Sequence, residues 1–238
     1  MQLPLVLLGG TLCDGALWQP LCRHLPQQPV IIPQVGGADS AEQVAAQLLA
    51  DLPERFWLVG FSLGAMVALE MQAQAAHRLA GLALMAVNPL ADAPVNAAGR
   101  IALLSQATKS GMPCVIEQLW PRYVHPSRLA DSELLRALVE MAERSGVARF
   151  RQQTAIAIQR RDLRHTLPSL AAPLLILNGD SDAICTPEHH RLLVTAVPAA
   201  QQITFEQCGH FLPLERPQAC ASALQNWIKE SELCVTTR

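Results

Sequence analysis

The sequence predicts an α/β fold in which a doubly wound, mostly parallel sheet carries an inserted helical cap. Short apolar runs bounded by Gly and Pro alternate with segments of helical periodicity, which is typical of parallel strands joined by helices. Between residues 92 and 167 this alternation stops, and helical patterns follow one another without a strand. A length of 238 residues suits one folding unit with a sizeable core.

The predicted strands are apolar along their whole length, as expected for strands that helices cover on both faces. The first meets Gly9-Gly10 at its end, and the second lies between Pro29 and Pro33. Such breakers mark the ends of short buried strands. The runs assigned to strands are residues 3–8, 30–32, 56–59, 82–87, 174–177 and 203–205.

The helices are predicted from their caps and apolar stripes. Ser40 with Gln43 three residues later forms a capping box, and the stripe that follows ends near Leu52-Pro53. Pro187 and Pro217 suit the first position of a helix. Further helices are predicted over 63–77, 132–143, 147–160 and 217–229, before a frayed tail at 235–238. We therefore assign 1–91 and 168–238 to the α/β core and 92–167 to the cap.

Composition and charge exclude several classes of function. The formal net charge is −2, from 18 basic and 20 acidic residues, so no global field would attract nucleic acid or an acidic membrane. The apolar runs are too short to span a bilayer, and the start of the chain lacks the pattern of a signal peptide. Seven cysteines without a CxxC pair favour reduced thiols in the cytoplasm. The expected partner is a small, roughly neutral molecule.

One motif predicts a nucleophile. Gly60-Phe61-Ser62-Leu63-Gly64 lies between a buried strand and a helix, the context in which G-x-S-x-G exposes a serine at the carboxyl edge of a sheet. The helix that starts after Ser62 offers free backbone N–H groups and a positive dipole end, so the Leu63 amide is the expected donor to an oxyanion. For the motif taken alone, an ordinary turn is the alternative.

A serine nucleophile needs a base and a group that orients the base, in the chain order Ser, Asp or Glu, His. Asp182 follows the fifth predicted strand, with Asp180 as a local competitor, and His210 follows the sixth. Both are therefore expected at the same edge of the sheet as Ser62. The other histidines are interpreted as surface or packing residues: His24, His77, His125, His165, His189 and His190.

With these motifs the chain resembles the α/β-hydrolase superfamily over nearly its full length. It is most similar to serine esterases, enol-lactonases and pimeloyl-carrier methyl esterases. Gly179-x-x-Asp182 is similar to the family's G-x-x-D, which favours Asp182 over Asp180. Gly209-His210 followed by Glu215-Arg216-Pro217 is similar to its terminal G-H-x4-E-x-P, and there Glu215 is expected to cap or pair near the helix start.

The loop after the first strand is similar to the family's His-Gly-x segment, which supplies the second oxyanion amide. Gly9 stands where many relatives have histidine, and the likeness implies that Thr11 donates its backbone N–H. The resemblance then implies acyl transfer, in which His210 takes the Ser62 proton, the alkoxide attacks a carbonyl and water later releases the acyl group. Neither metal nor cofactor is expected, because the sequence holds no HExxH helix, Walker A loop or dinucleotide motif.

The resemblance leaves the substrate open. A small carboxylic ester or related acyl compound is expected, and the alternatives are a lactone, a lyase reaction of the menaquinone-pathway type, and a non-catalytic small-molecule receptor. The pimeloyl-carrier methyl esterases imply an acyl-carrier-linked substrate, which basic cap residues would receive; a solvated helix face is the other explanation for these residues. They are Arg149, Arg151, Arg160, Arg161 and Arg164. The chain is expected to be a monomer or a homodimer.

Overall fold

The computed structural model describes residues 2–236, with side chains as far as residue 233. Its strands are β1 (Leu5–Leu8), β2 (Val30–Ile31), β3 (Phe56–Phe61), β4 (Leu79–Met85), β5 (Leu174–Gly179) and β6 (Gln201–Phe205). Within the described residues these six strands form one sheet in the order β2-β1-β3-β4-β5-β6, and every neighbouring pair is parallel. The predicted parallel α/β fold is confirmed.

Helices connect consecutive strands, as parallel pairing requires, and two more helices follow β6. They are α1 (Gln19–Cys22), α2 (Ala41–Asp51), α3 (Leu63–Ala75), α4 (Pro94–Ser110), α5 (Met112–Tyr123), α6 (Ser132–Gln159), α7 (Pro187–Ala196), α8 (Leu212–Glu215) and α9 (Pro217–Thr236). In α2 the predicted cap is present, since the Ser40 hydroxyl accepts from the Gln43 amide at 3.2 Å. Among the helices described, none is both long and apolar enough to cross a membrane.

Two apolar cores cover the two faces of the sheet. Leu5 and Leu7 of β1 lie in one core, which α1 and α9 close from outside, while Val6 and Leu8 lie in the other, under α2, α3 and α7. All four side chains are fully buried. Because burial of one such side chain contributes about 1.5–3 kcal/mol, the alternation fixes which face each residue of the strand occupies.

Several bounds differ from the prediction. β4 begins at Leu79, earlier than expected, because Leu79 already pairs with Phe56 of β3. The helices predicted over 132–143 and 147–160 are both present as the two parts of α6, which are separated by a non-helical residue, Gly146, with φ of 72°. The last helix continues to Thr236, so the tail predicted as frayed is helical as far as that residue, and 237–238 lie outside the described residues.

Between β4 and β5 the chain is helical, and we call α4, α5 and α6 the helical segment. Its apolar side chains, among them Val115, Leu138 and Phe150, join the core on the α1 and α9 side of the sheet. The C-terminal part of α6 instead contributes Ile156 and Ala157 to the opposite core. Side chains of α6 therefore contribute to both apolar cores. The cap boundaries of 92 and 167 stay a prediction.

Candidate active site

The predicted nucleophile lies on a strained turn between β3 and α3. Ser62 has φ 53° and ψ −114°, a sparsely populated conformation that costs a side-chain-bearing residue about 1–3 kcal/mol. Its amide donates to the Met85 carbonyl of β4 at 2.9 Å, and its carbonyl accepts from the Ala65 amide at 3.0 Å. These bonds anchor the turn to a neighbouring strand and to the first turn of α3.

The glycines of the motif are required by close backbone contacts. A Cβ on Gly64 would lie 2.2 Å from the Leu8 carbonyl oxygen, and a Cβ on Gly60 would lie 2.5 Å from Cα of Ala65. Real Cβ atoms do not approach backbone this closely, so only glycine lets α3 start directly against the end of β1. The spacing in the sequence thus reflects two steric limits.

The structure brings the predicted base, acid and nucleophile together. Nδ1 of His210 lies 2.8 Å from Oδ2 of Asp182, and Nε2 of His210 lies 3.0 Å from Oγ of Ser62. A carboxylate can only accept, so Nδ1 carries the proton and Nε2 is the free acceptor for the Ser62 hydroxyl. The arrangement is that of a nucleophile, a general base and an orienting carboxylate.

Asp182 is ionised although it is buried. Burial by itself would raise the pKa of Asp182, but the adjacent His210 ring and the amides of Cys185 and Ile184 outweigh it and hold that pKa below its usual value. Both amides donate to Oδ1 at 2.8 Å, which leaves Oδ2 for His210. A charge held in this way can stabilise a protonated imidazole.

Asp180, the competing carboxylate, has a different place. Its side chain accepts from the amides of Gln207 and Cys208, at 3.0 and 3.2 Å, and from the Ser181 hydroxyl. It therefore ties the loop after β5 to the loop that carries His210. The geometry favours Asp182 as the partner of the histidine, in agreement with the G-x-x-D resemblance.

The His210 loop is fixed by the end of α5. The Tyr123 carbonyl accepts from the amides of His210 and Phe211, at 3.0 and 3.1 Å. The Glu215 carboxylate accepts from the amides of Gly209 and His125, so it joins this loop to the helical segment and does not pair at the start of α9 as the sequence suggested. Burial raises the pKa of Glu215 despite these bonds.

The two predicted oxyanion amides belong to the turn at Ser62 and to the loop after β1. Neither the Thr11 nor the Leu63 amide has a hydrogen-bond acceptor among the described residues. The loops that carry them are in contact, since a Cβ on Gly10 would lie 3.2 Å from Cβ of Ser62. Leu12, next to Thr11, has φ 61° and so shares the left-handed conformation of the nucleophile. Two free donors beside a serine can receive a developing oxyanion.

Of the histidines interpreted as surface or packing residues, His190 is the most buried. Nε2 of His190 accepts from the Val87 amide at 3.1 Å, and Nδ1 lies 3.0 Å from the Thr186 carbonyl. Burial lowers the pKa of His190 to about 4, so the ring stays neutral. It is a structural link between α7 and the end of β4.

One group of side chains in the described chain could hold a metal ion. Ligand atoms of Asp182, Cys185 and His210 lie within 4.8 Å of one another. Two of the three already bond to each other, and burial raises the pKa of the Cys185 thiol well above its ordinary value, so the thiol is a poor ligand at neutral pH. The prediction that no metal is bound stays a prediction.

Most arginines of the predicted basic run have a hydrogen-bond or ion-pair partner. Arg160 is buried and pairs with Asp92 at 2.8 Å, which corrects its interpretation as a solvated or carrier-binding residue. The others have the following partners: Arg161 pairs with Glu70 at 2.6 Å, Arg164 pairs with Asp162 at 2.7 Å, and Arg149 donates to Gln34 at 2.6 Å. Arg151 is exposed and has no such partner among the described residues.

Comparison with known proteins places this site in a family. The sequence model of the alpha/beta hydrolase family matches residues 17–223, most of the chain. The chain belongs to this family. It is therefore a hydrolase, and the family match includes Ser62, Asp182 and His210.

Similar curated proteins include enzymes named as esterases. Pimeloyl-acyl-carrier-protein methyl ester esterase of Aromatoleum aromaticum is 26% identical over 249 residues, which cover 94% of this chain and 98% of that protein. The enzyme of the same name from Aliivibrio salmonicida is 27% identical over 221 residues, with coverage of 87% and 84%.

Solved structures share the fold. A thermophilic esterase from Thermogutta terrifontis, with malate bound, has a TM-score of 0.86 at 24% identity, covering 97% of this chain and 91% of its own. The enol-lactonase from Burkholderia xenovorans has a TM-score of 0.84 at 20% identity, covering 96% and 92%.

Proposed function

We propose that the protein hydrolyses carboxylic esters through an acyl-enzyme formed on Ser62. The observation that carries the proposal is the position of His210, whose two ring nitrogens bond to Asp182 at 2.8 Å and to Ser62 at 3.0 Å. No other described histidine bonds to both a carboxylate and a serine hydroxyl next to a glycine-bounded helix start. Membership of the hydrolase family supports the same reaction.

The chemistry follows from this geometry. Nε2 of His210 takes the Ser62 proton as Oγ attacks the ester carbonyl, and the Asp182 carboxylate stabilises the imidazolium. The imidazolium then gives its proton to the departing alcohol, which leaves an acyl group on Oγ. Water, deprotonated by the same nitrogen, releases the acid and restores the serine.

The amides of Thr11 and Leu63 are the proposed oxyanion hole. Both belong to turns that lie against Ser62, and both lack another acceptor in the described chain. Removal of one such donor typically lowers kcat about 100- to 1,000-fold. No metal or cofactor takes part in the proposed reaction.

For the substrate we propose a small ester roofed by a cap over residues 92–167. Tyr123, at the end of α5, stacks on His210 with ring centroids 6.1 Å apart, which supports a cap that reaches the site. The relatives named pimeloyl-acyl-carrier-protein methyl ester esterase support a methyl ester whose acyl chain is linked to a carrier. Among the basic run, Arg151 is the residue free to meet an anionic carrier.

The test is hydrolysis of p-nitrophenyl acetate and butyrate by the wild type, Ser62→Ala and His210→Ala. We expect each variant to lose at least about 10⁴-fold in kcat with an unchanged circular dichroism spectrum. Ser181→Ala, a serine in the neighbouring loop, is the matched control and should retain activity. A Ser62→Ala variant that keeps the turnover of the wild type would contradict the proposal.

Product analysis separates the alternatives. A methyl ester yields an acid and methanol, whereas a lactone opens to a single product and a lyase leaves no acyl-enzyme. We expect methanol release from a carrier-linked methyl ester to be faster than opening of an enol-lactone. A wild type that hydrolyses none of these substrates and resists a fluorophosphonate probe would favour the non-catalytic receptor.

A further inference from the structure

A glutamine of the helical segment holds the turn that carries the proposed oxyanion donor. Gln153 of α6 is only 1% exposed. Its Oε1 accepts from the Leu12 amide at 2.9 Å, and its Nε2 donates to the Val35 carbonyl at 3.0 Å. One side chain therefore joins α6 to the loop after β1 and to the loop after β2.

The orientation of this amide is fixed by its two partners. A backbone N–H can only donate and a carbonyl can only accept, so the Gln153 side chain satisfies Leu12 and Val35 in one orientation only. Both partners are buried, where an unpaired polar group is costly. The bond to Leu12 is thus a defined contact of the fold.

This bond selects the form of the turn at residues 10–13. The Cys13 amide donates to the Gly10 carbonyl at 3.2 Å, and Leu12 has a positive φ while Thr11 does not, which is the type II pattern. A type II turn favours glycine at the place that Leu12 occupies. Leucine could escape the strain if the peptide between Thr11 and Leu12 turned over.

The turned-over peptide would lose its partner. The Thr11 carbonyl would then point where the Leu12 amide now points, so two oxygens, that carbonyl and Gln153 Oε1, would face each other. Gln153 therefore disfavours the turned-over peptide, although that form would relieve the strain at Leu12. Turning the peptide over changes ψ of Thr11 and φ of Leu12, whereas the Thr11 N–H belongs to the preceding peptide and moves only as far as the whole turn shifts.

We propose that Gln153 is a positioning residue, which holds Thr11 so that its N–H stays beside Ser62. The inference rests on the proposed function, because it assigns the Thr11 amide to the oxyanion hole. Neighbouring contacts from α6 support it: Arg144 pairs with Asp14 at 2.6 Å, just after the same turn. The helical segment would then determine the geometry of the oxyanion hole as well as roof the site.

Gln153→Met tests this role, because methionine fills a similar volume without an acceptor. We expect kcat per active site to fall about 10- to 100-fold with little change in KM, as for a catalytic group displaced by about 1 Å. Active sites are counted with a fluorophosphonate, so that unfolded protein does not lower the value. Gln152→Met is the matched control: this adjacent glutamine bonds to the Gly37 amide at 3.1 Å, away from Ser62, and kcat should stay unchanged.

A second background separates positioning from a merely structural role. Glycine adopts a left-handed φ without strain, so in Leu12→Gly the added change Gln153→Met should lower kcat less than about threefold. An equal loss in both backgrounds would overturn the proposal, and so would a Gln153→Met enzyme with wild-type kcat per site. If the Ser62→Ala variant hydrolyses the ester as fast as the wild type, the proposed function itself fails. If hydrolysis requires Ser62 but not Gln153, only this inference fails.

Discussion

The turn at Ser62 and the turn at residues 10–13, which carry the proposed nucleophile and a proposed oxyanion donor, lie side by side, yet different parts of the chain hold them. Ser62 and Leu12 both have left-handed backbone, with φ of 53° and 61°. The turn at Ser62 is held mostly by residues near it in the sequence, namely two glycines and bonds from the start of α3, with one further bond to Met85 of β4. The turn at Leu12 is held by Gln153, which lies 141 residues further along the chain.

The difference shows that strain can be stabilised locally or from a distance. A local solution leaves a motif in the sequence, because the same few residues must recur at fixed spacing. A distant solution leaves no local pattern, because any side chain of suitable length can reach the turn. The His210 loop belongs to the second kind, since the distant Tyr123 carbonyl binds its amides and Glu215 links it to His125.

The largest expected effect concerns the acid, whose loop is organised locally. Asp182→Asn should lower kcat about 10⁴-fold without unfolding the protein, because the amide cannot hold His210 in the tautomer that accepts from Ser62. Asp180→Asn is the control: it touches the same loops but not His210, so its kcat should change little. Equal losses in the two variants would show that Asp182 acts only through loop structure.

Gly64→Ala tests whether the close backbone contact of Gly64 is needed for the turn at Ser62. The new Cβ would meet the Leu8 carbonyl at 2.2 Å, so we expect Ser62 to shift and activity to fall at least about 100-fold. Thermal unfolding should show a loss of about 1–3 kcal/mol. Gly99→Ala, inside α4 at a glycine whose Cβ would meet nothing within 4 Å, should leave activity unchanged and raise stability by about 0.5–1 kcal/mol.

His190 tests a long-range contact that depends on protonation. Because burial lowers the pKa of His190 from 6.5 to about 4, the unfolded chain takes up the proton first as the solution is acidified. The stabilisation is complete above pH 6.5 and is lost as the pH falls toward 4, by up to about 3 kcal/mol. Denaturant melts from pH 7 to pH 4 should show this slope in the wild type and a flatter one in His190→Gln; equal slopes would refute the assignment.

Glu215→Met tests the bond between the His210 loop and the helical segment. It leaves the buried amide of Gly209 and the half-buried amide of His125 without an acceptor, so we expect a loss of about 2 kcal/mol in stability and a moderate loss of kcat. Glu215→Gln keeps an acceptor and should lose less on both measures. If the two variants behave alike, the carboxylate does not hold the loop.

Elements that depend on local patterns can be predicted from the sequence, and elements that depend on distant contacts cannot. The strand at Phe56–Phe61 and the nucleophile after it are predictable, because a buried run and a glycine-bounded serine are both local patterns. The break at Gly146 lies between the two helices predicted over 132–143 and 147–160, so it too is a local feature. The early start of β4 at Leu79 depends on pairing with β3, which no local pattern reveals.

The sequence by itself determined the fold class and the order of strands and helices, and it indicated Ser62, His210 and a carboxylate of the loop after β5 as candidates for the chemistry, because buried runs, caps and tight turns impose short-range constraints on residue type. Only the tertiary structure decided which carboxylate meets His210, that Arg160 is buried against Asp92, and that Gln153 bonds to the Leu12 amide. These are contacts between distant segments. They depend on how helices pack over the sheet, and the energy of such packing is shared among many residues that carry no individual signature.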